Sequence, residues 1–327
     1  MRDFLRSAFA RVWLPVLGAA AGVAYLDRGT DTGDLIYFVH KGEQLLSGRW
    51  ADTFADPVLQ SGPLQLAVVG AVGNFTALAF LIGVGGAALF LYGLGRLGVN
   101  DRIRLGFGLV AVAAGLTHGA FVDGHPAQAF VPLLWILAAL WAREDRVVAA
   151  GVVVGLSAGL ELWGVLGVPV LLLAPRFRRT ALAVLCTGIV VGAMLVPFVL
   201  AGDFRMFEHD WRVATGTLMS LFVQPGTHFG WELRVVQSVF ALCAGAVAAL
   251  ALRRSLHAVW LAPLAVVVVR LLVDPLSFGW YWLGAEALVL TGAALLFTEL
   301  PTRFPATRLA RAAGPQHRAA AQPPARS

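Results

Sequence analysis

Long apolar runs alternate with short polar or arginine-rich breaks along this chain, a spacing far longer than the repeat of an amphipathic helix. A helix needs about 20 mostly apolar residues to cross about 30 Å of hydrocarbon. The runs predict eight crossings, near 10–27, 74–97, 105–121, 127–142, 180–201, 235–252, 257–273 and 280–298. The segment 147–174 breaks the series, because as one helix it would measure about 42 Å, too long for one upright crossing and too short for two. Arg143 and Arg146 precede it and Arg176, Arg178 and Arg179 follow it, so both its ends belong on one side. The pattern predicts a hairpin of two half-helices turning near 159–164. In the long polar stretch 28–73, Leu35, Phe38, Val39, Gly42, Leu45 and Leu46 recur at helical spacing. They predict an amphipathic helix on the membrane surface, with Asp34 at its start and Gly48 at its end.

Composition places the chain in a class. Hydrophobic residues make up 58% and charged residues 13%, with mean hydropathy +0.76, which excludes an ordinary soluble domain. The net charge of +6 comes from short basic clusters between apolar runs, a pattern of membrane topology that gives no nucleic-acid-binding face. Cys186 and Cys243 both lie in apolar runs, so neither a disulfide framework nor a cysteine metal site is readable.

Sorting the 25 basic residues over this topology puts 18 on the cytoplasmic side, six outside (Arg28, Lys41, Arg49, Arg205, Arg212 and Arg234) and Arg270 within a span. The reading is an all-α multi-pass bundle of the plasma membrane over 1–300, with both termini cytoplasmic and the first run an uncleaved anchor. Its long outer loops are 28–73 and 202–234. Residues 301–327, rich in Ala, Pro and Arg, are expected to form a disordered basic tail.

Twelve of the 19 acids and five of the seven histidines fall on the outer side, which points to an outward-facing polar site. Asp34 has two readings, a helix N-cap or a general base beside the membrane. Asp123 and His125, in a tight turn shortly after His118, are candidates for acceptor contacts or for a divalent metal with Asp34, against the alternative of a solvated turn. Arg212, Arg234 and Arg270, with Lys41 a further cation, are the candidates to hold the phosphate that the family resemblance described below implies, because guanidinium groups contact phosphate in bidentate fashion. Arg270 has the alternative of an i,i+4 pair with Asp274. Asp31, His209 and Glu161 are secondary candidates; Glu161 falls at the hairpin tip and Glu286 in the last span, where carboxylates suggest function. Trp211, Trp231, Trp280, Tyr281 and Trp282 read as an interfacial aromatic belt.

Three stretches carry a family resemblance: Asp34-Leu35-Ile36-Tyr37 with Leu45-Leu46-Ser47-Gly48-Arg49 and Gln60-Ser61-Gly62-Pro63-Leu64; Gly155-Leu156-Ser157-Ala158-Gly159-Leu160-Glu161-Leu162-Trp163 with Pro169 and the arginines after it; and the segment from Asp274-Pro275 to Trp282. Together they resemble GT-C glycosyltransferases, the multi-pass enzymes that use polyprenyl-phosphate sugars, in their bacterial mannosyltransferase-like branch. The resemblance implies a GT-C-like fold and transfer of a hexose or pentose, mannose among them. The donor would be a polyprenyl-phosphate sugar and the acceptor a lipid or glycan of the cell envelope, at the outer face. It also implies that Asp34 is the catalytic or metal-associated acid. Two other classes stay open: a transporter or lipid flippase using Glu161 and Glu286, and a catalytically silent envelope-assembly protein.

Overall fold

In the computed structural model of the chain, the described residues are 7–30 and 32–303, with side chains through Leu300. Asp31 and the basic tail beyond 303 lie outside them. Among the described residues, seven helices are long and apolar enough to cross a membrane. They are α1 (Phe9–Asp27), α5 (Phe75–Arg96), the pair α6 (Asp101–Ala113) and α7 (Leu116–Val122), α8 (Pro126–Arg143), α10 (Phe177–Ala201), α11 (Trp231–Ala251) and the last, Gly279–Leu300, whose α-helical part is α13 (Leu283–Arg303). The remaining expected crossing, near 257–273, is the shorter α12 (Ala258–Leu272), whose 15 residues span about 22 Å.

Local chemistry sets the boundaries. Asn74 and Asn100 cap α5 and α6 by accepting from the amides of Ala77 and Ile103. Pro126 opens α8, where its missing N–H costs nothing. Gly115, at φ 90°, interrupts the α6–α7 crossing in a conformation that a residue with a Cβ rarely adopts.

The segment 147–174 is a hairpin, made of α9 (Val147–Leu160) and a 3₁₀ limb (Leu162–Leu173) that meet at Glu161, which is extended at φ −152° and ψ 139°. Trp135 of α8 is fully buried and ties the limbs together, its Nε1 donating to Ser157 Oγ at 3.1 Å and to the Gly164 carbonyl at 3.0 Å. Gly167 lies flush against the Trp135 ring, with no room for a Cβ. Both hairpin ends reach the same end of the bundle, where Arg179 meets Asp145 at 3.5 Å and Arg253 donates to the Ala174 carbonyl. Arg143 in turn donates to the carbonyls of Arg253 and Ser255, Arg96 to Glu144, and Arg11 to Asp101. This is the arginine-rich end.

The stretch 28–73 is itself a helical layer at the opposite end, of α2 (Leu35–Leu46), α3 (Trp50–Phe54) and α4 (Pro63–Val72). The apolar stripe of α2 is present, with Leu35, Phe38, Val39, Gly42 and Leu45 buried and Leu46 exposed. That face packs on α4 and so is not laid on a lipid surface, which corrects the expectation. The two helices touch backbone to backbone at Gly42 and Gly70, where a Cβ on either would overlap the other helix. Helix α4 then packs on α9, which brings the stretch 28–73 onto the hairpin.

Candidate active site

A cavity of about 1010 Å³ opens between this helical layer, the hairpin tip, α10, α11 and the aromatic segment before α13. It gathers Asp34, Asp56, His125, Glu161, His209, Arg234, Arg270, Asp274 and Tyr281 from parts of the chain far apart in sequence.

Asp34 precedes α2 but makes no side-chain cap bond, so the N-cap reading fails. Its carboxylate, 62% exposed, instead lies 3.0 Å from His125 Nε2. The hydrogen bond to His125 holds the Asp34 carboxyl below the ordinary carboxylate range, partial burial opposing and the imidazole charge adding to the effect. His125 is fixed by stacking on Trp280, with ring centroids 5.0 Å apart and planes 7° from parallel, and by the edge of Phe38. The turn before it packs on the start of α2: a Cβ on Gly33 would lie 2.8 Å from the Asp123 carbonyl oxygen, and one on Gly124 2.7 Å from the Asp34 amide. Asp123 therefore does not line the cavity. It belongs to the turn that sets His125 beside Asp34, and the turn reading prevails over an acceptor contact.

Asp56 completes the acidic wall. It accepts from the Tyr37 hydroxyl at 2.8 Å and the Val58 amide at 3.0 Å, with Lys41 Nζ at 3.9 Å. Partial burial resists its ionisation, but these donors and the charges of Lys41 and His209 outweigh it and lower the Asp56 pKa. Lys41 is thus a buried partner of Asp56 rather than a phosphate ligand, which corrects that expectation. His209 does line the cavity, where burial and then the Arg234 charge push its imidazole below the ordinary range.

Arg234 and Arg270 face the cavity without an ion-pair partner: among the described residues no carboxylate lies within 4.0 Å of either guanidinium. Arg234 Nε is buried with no hydrogen-bond partner, and the guanidinium stands 5.6 Å from the Trp211 ring. Arg270 lies 4.7 Å over Trp163 and 5.7 Å over Tyr281. The expected alternative, an Arg270–Asp274 pair, is absent. Asp274 instead accepts from Gln237 Nε2 at 3.1 Å and from the Leu276 amide, while Gln237 also donates to the Arg270 carbonyl. Arg212 is exposed in a two-stranded ribbon, β1 (Trp211–Arg212) with β2 (His228–Phe229), and is outside the cavity lining.

The hairpin tip forms the floor. Glu161 pairs with Ser61 through a backbone bridge, Gly62 N donates to the Leu160 carbonyl at 2.8 Å, and Gln128 Nε2 reaches both Glu161 carboxylate oxygens, at 3.2 and 3.4 Å. The segment 202–230 forms the roof, pinned by Gln60 Nε2 on the Met206 carbonyl and by Ala214 N on the Pro275 carbonyl. One side is apolar, with Val191 and Leu195 from α10 facing Val235, Val239 and Leu242 from α11.

Trp211, Trp231, Trp280 and Tyr281 line the cavity, so they are not simply an aromatic belt; Trp282 is 42% exposed. His118 pairs with Asp27 at 2.8 Å, away from Asp34. Among the described residues no group of three or more His, Cys, Asp or Glu is arranged to hold a metal ion. Glu286 is exposed on α13 and outside the cavity lining. Comparison of the chain with family models, with curated proteins and with solved structures yields no match.

Proposed function

We propose that this protein is a membrane glycosyltransferase that moves a sugar from a polyprenyl-phosphate donor to a lipid or cell-envelope hydroxyl. The observation that carries the reading is the pair of arginines, Arg234 and Arg270, free of ion-pair partners and facing the same cavity as the Asp34 carboxylate. Such arginines suit a leaving phosphate, and a carboxylate held ionised suits a base. The acceptor oxygen bonds to the anomeric carbon as the bond from that carbon to the phosphate oxygen breaks. The bonding pair leaves with the phosphate toward the guanidinium groups, and the hydroxyl proton passes to Asp34. His125, fixed by Trp280, positions Asp34. The apolar side between α10 and α11 suits the prenyl chain. With the arginine-rich end cytoplasmic, the cavity opens outward, at the plasma membrane's outer face.

The test is transfer of radiolabelled sugar by the purified full chain in lipid nanodiscs, from a panel of polyprenyl-phosphate sugars to a membrane lipid extract. Transfer from lipid-phosphate donors and none from nucleotide sugars is expected; no transfer by folded protein with these donors would overturn the reading. Arg234→Gln and Arg270→Gln are each expected to weaken binding of sugar-free polyprenyl phosphate roughly 10- to 100-fold, the span for a lost charge-assisted hydrogen bond. Titration of the bare lipid phosphate measures this, and equal affinity in both variants would remove the arginines from the phosphate site.

A further inference from the structure

Besides His125 Nε2, which lies 3.0 Å from the Asp34 carboxylate, six of the cavity-lining residues carry a buried side-chain polar atom with no hydrogen-bond partner, namely Ser61 Oγ, Gln65 Oε1, Trp163 Nε1, His209 Nε2, Arg234 Nε and Trp280 Nε1. Buried polar groups in folded proteins are nearly always satisfied, so a cluster of orphans on one cavity points to what fills it. Three of them surround the hairpin tip. Ser61 is bridged to Glu161, Gln65 lies one turn further on at the start of α4, and Trp163 follows Glu161 by two residues. Ser61 is 2% exposed and Gln65 4% exposed. The Glu161 carboxylate adds acceptor capacity there, since its two oxygens share one Gln128 amide group.

The hydrogen-bonding character of this floor is mixed, and that decides the ligand. Gln65 Oε1 and Glu161 accept, the Trp163 N–H donates, and the Ser61 hydroxyl does both. A phosphate only accepts, so it would leave the Gln65 Oε1 acceptor unanswered and repel Glu161. A prenyl chain would satisfy none of the four. A ring bearing adjacent hydroxyls, each both donor and acceptor, answers all of them. By contrast, the Arg234 and Arg270 guanidinium groups only donate, as a phosphate requires.

We infer that the hairpin tip is a sugar-binding subsite in which Ser61, Gln65, Glu161 and Trp163 hydrogen-bond the hydroxyls of one hexose or pentose ring, adjoining the phosphate position at the arginines, where Arg270 lies over the Trp163 ring. The inference rests on the transferase reading for the setting of that sugar, and its test needs no phosphate and no turnover. Glu161 and Gln65 are then the residues that select among sugars, because a site built to pair hydroxyls discriminates strongly against a ligand that lacks them.

The experiment titrates the full chain in nanodiscs with octyl glycosides of several hexoses and pentoses, and with octyl tetraoxyethylene ether, which has the same tail and no vicinal hydroxyls. Tryptophan fluorescence reports binding. At least one glycoside is expected to bind about tenfold or more tighter than the ether, and Gln65→Leu and Glu161→Gln to erase that preference. Ser61→Ala, the smaller change, is expected to reduce it in part, which keeps the result readable if a larger substitution disturbs folding. Equal binding of glycosides and ether by the wild type would overturn the inference, leaving water as the occupant of the floor. A preference that survives in all three variants would overturn it as well. Glycoside preference without sugar transfer would sink the transferase reading alone, and transfer without glycoside preference would sink the subsite alone.

Discussion

Asp34→Asn is expected to lower the rate of sugar transfer by about 10²- to 10⁴-fold, the usual contribution of a positioned general base. The amide is nearly isosteric and retains an oxygen to accept from His125, so the loss isolates the missing proton acceptor from any change of shape. The wild-type pH profile follows from the same contact. Because His125 holds the Asp34 pKa below its ordinary value, the carboxylate stays ionised as pH falls through the ordinary aspartate range, and activity is lost only on passing through the lowered value. Removing the imidazole with His125→Ala lets the pKa return upward, so the acid limb of kcat/KM moves to higher pH. An acid limb unmoved by His125→Ala, or full transfer by Asp34→Asn, would take the base role away from this carboxylate.

The second large effect is structural. Gly62→Ala adds one methyl group where a Cβ would overlap the Gly159 carbonyl oxygen and lie 3.0 Å from that of Ala158. The backbone there, at φ −78° and ψ 163°, is open to any residue, so the cost is purely of space. Both neighbours are backbone and cannot swing aside. The polar segment 60–62 must therefore lift from the hairpin tip, breaking the hydrogen bond from Gly62 N to the Leu160 carbonyl. Overpacking of this kind costs about 1–3 kcal/mol, and it displaces Ser61 from Glu161, so transfer should fall with stability. Gly106→Ala is the control, because a Cβ there meets nothing within 4 Å and alanine favours a helix. Thermal unfolding of the two variants in one detergent should separate them clearly; coincident midpoints would mean that the contact at Gly62 is not tight in solution.

What could be read along the chain was whatever repeats within one element. The apolar runs located the long helices, the length of 147–174 with arginines on both flanks implied the hairpin, and helical spacing marked the buried face of α2. Asp34, His125, Glu161, His209, Arg234 and Arg270 were reachable because ionisable groups in such surroundings are rare. The errors arise where two distant elements meet. Lys41 counted as an outer cation, yet Asp56 pairs with it from the loop after α3. Arg212 and Arg234 looked alike as arginines of one loop, and only the β1–β2 ribbon turns the first outward. Local pairing was expected of Arg270 and Asp274, but Gln237 on α11 takes the carboxylate. Asp56, Gln60, Ser61, Gln65 and Asp274 carried no periodic signal, although glutamine and serine beside a Gly-Pro helix start in so apolar a chain were a hint. The tryptophans divide between belt and cavity according to packing that spacing does not encode.

The winding of the hairpin bears on how its tip keeps its height. The 12 residues of the 3₁₀ limb, rising about 2.0 Å each, cover about 24 Å. The 14 residues of α9, at about 1.5 Å each, cover about 21 Å. The limb with fewer residues is thus the longer of the two, because it is drawn out more steeply than the other. Rewound as an ordinary α-helix, the steeper limb would reach only about 18 Å. It would fall short of the level of the tip or drag Glu161 away from Ser61. Pro169 within that limb removes one backbone donor. Length variation among proteins that share this hairpin should therefore be tolerated unequally, with one residue gained or lost shifting the tip by about 2.0 Å on the steep side and by about 1.5 Å on the other.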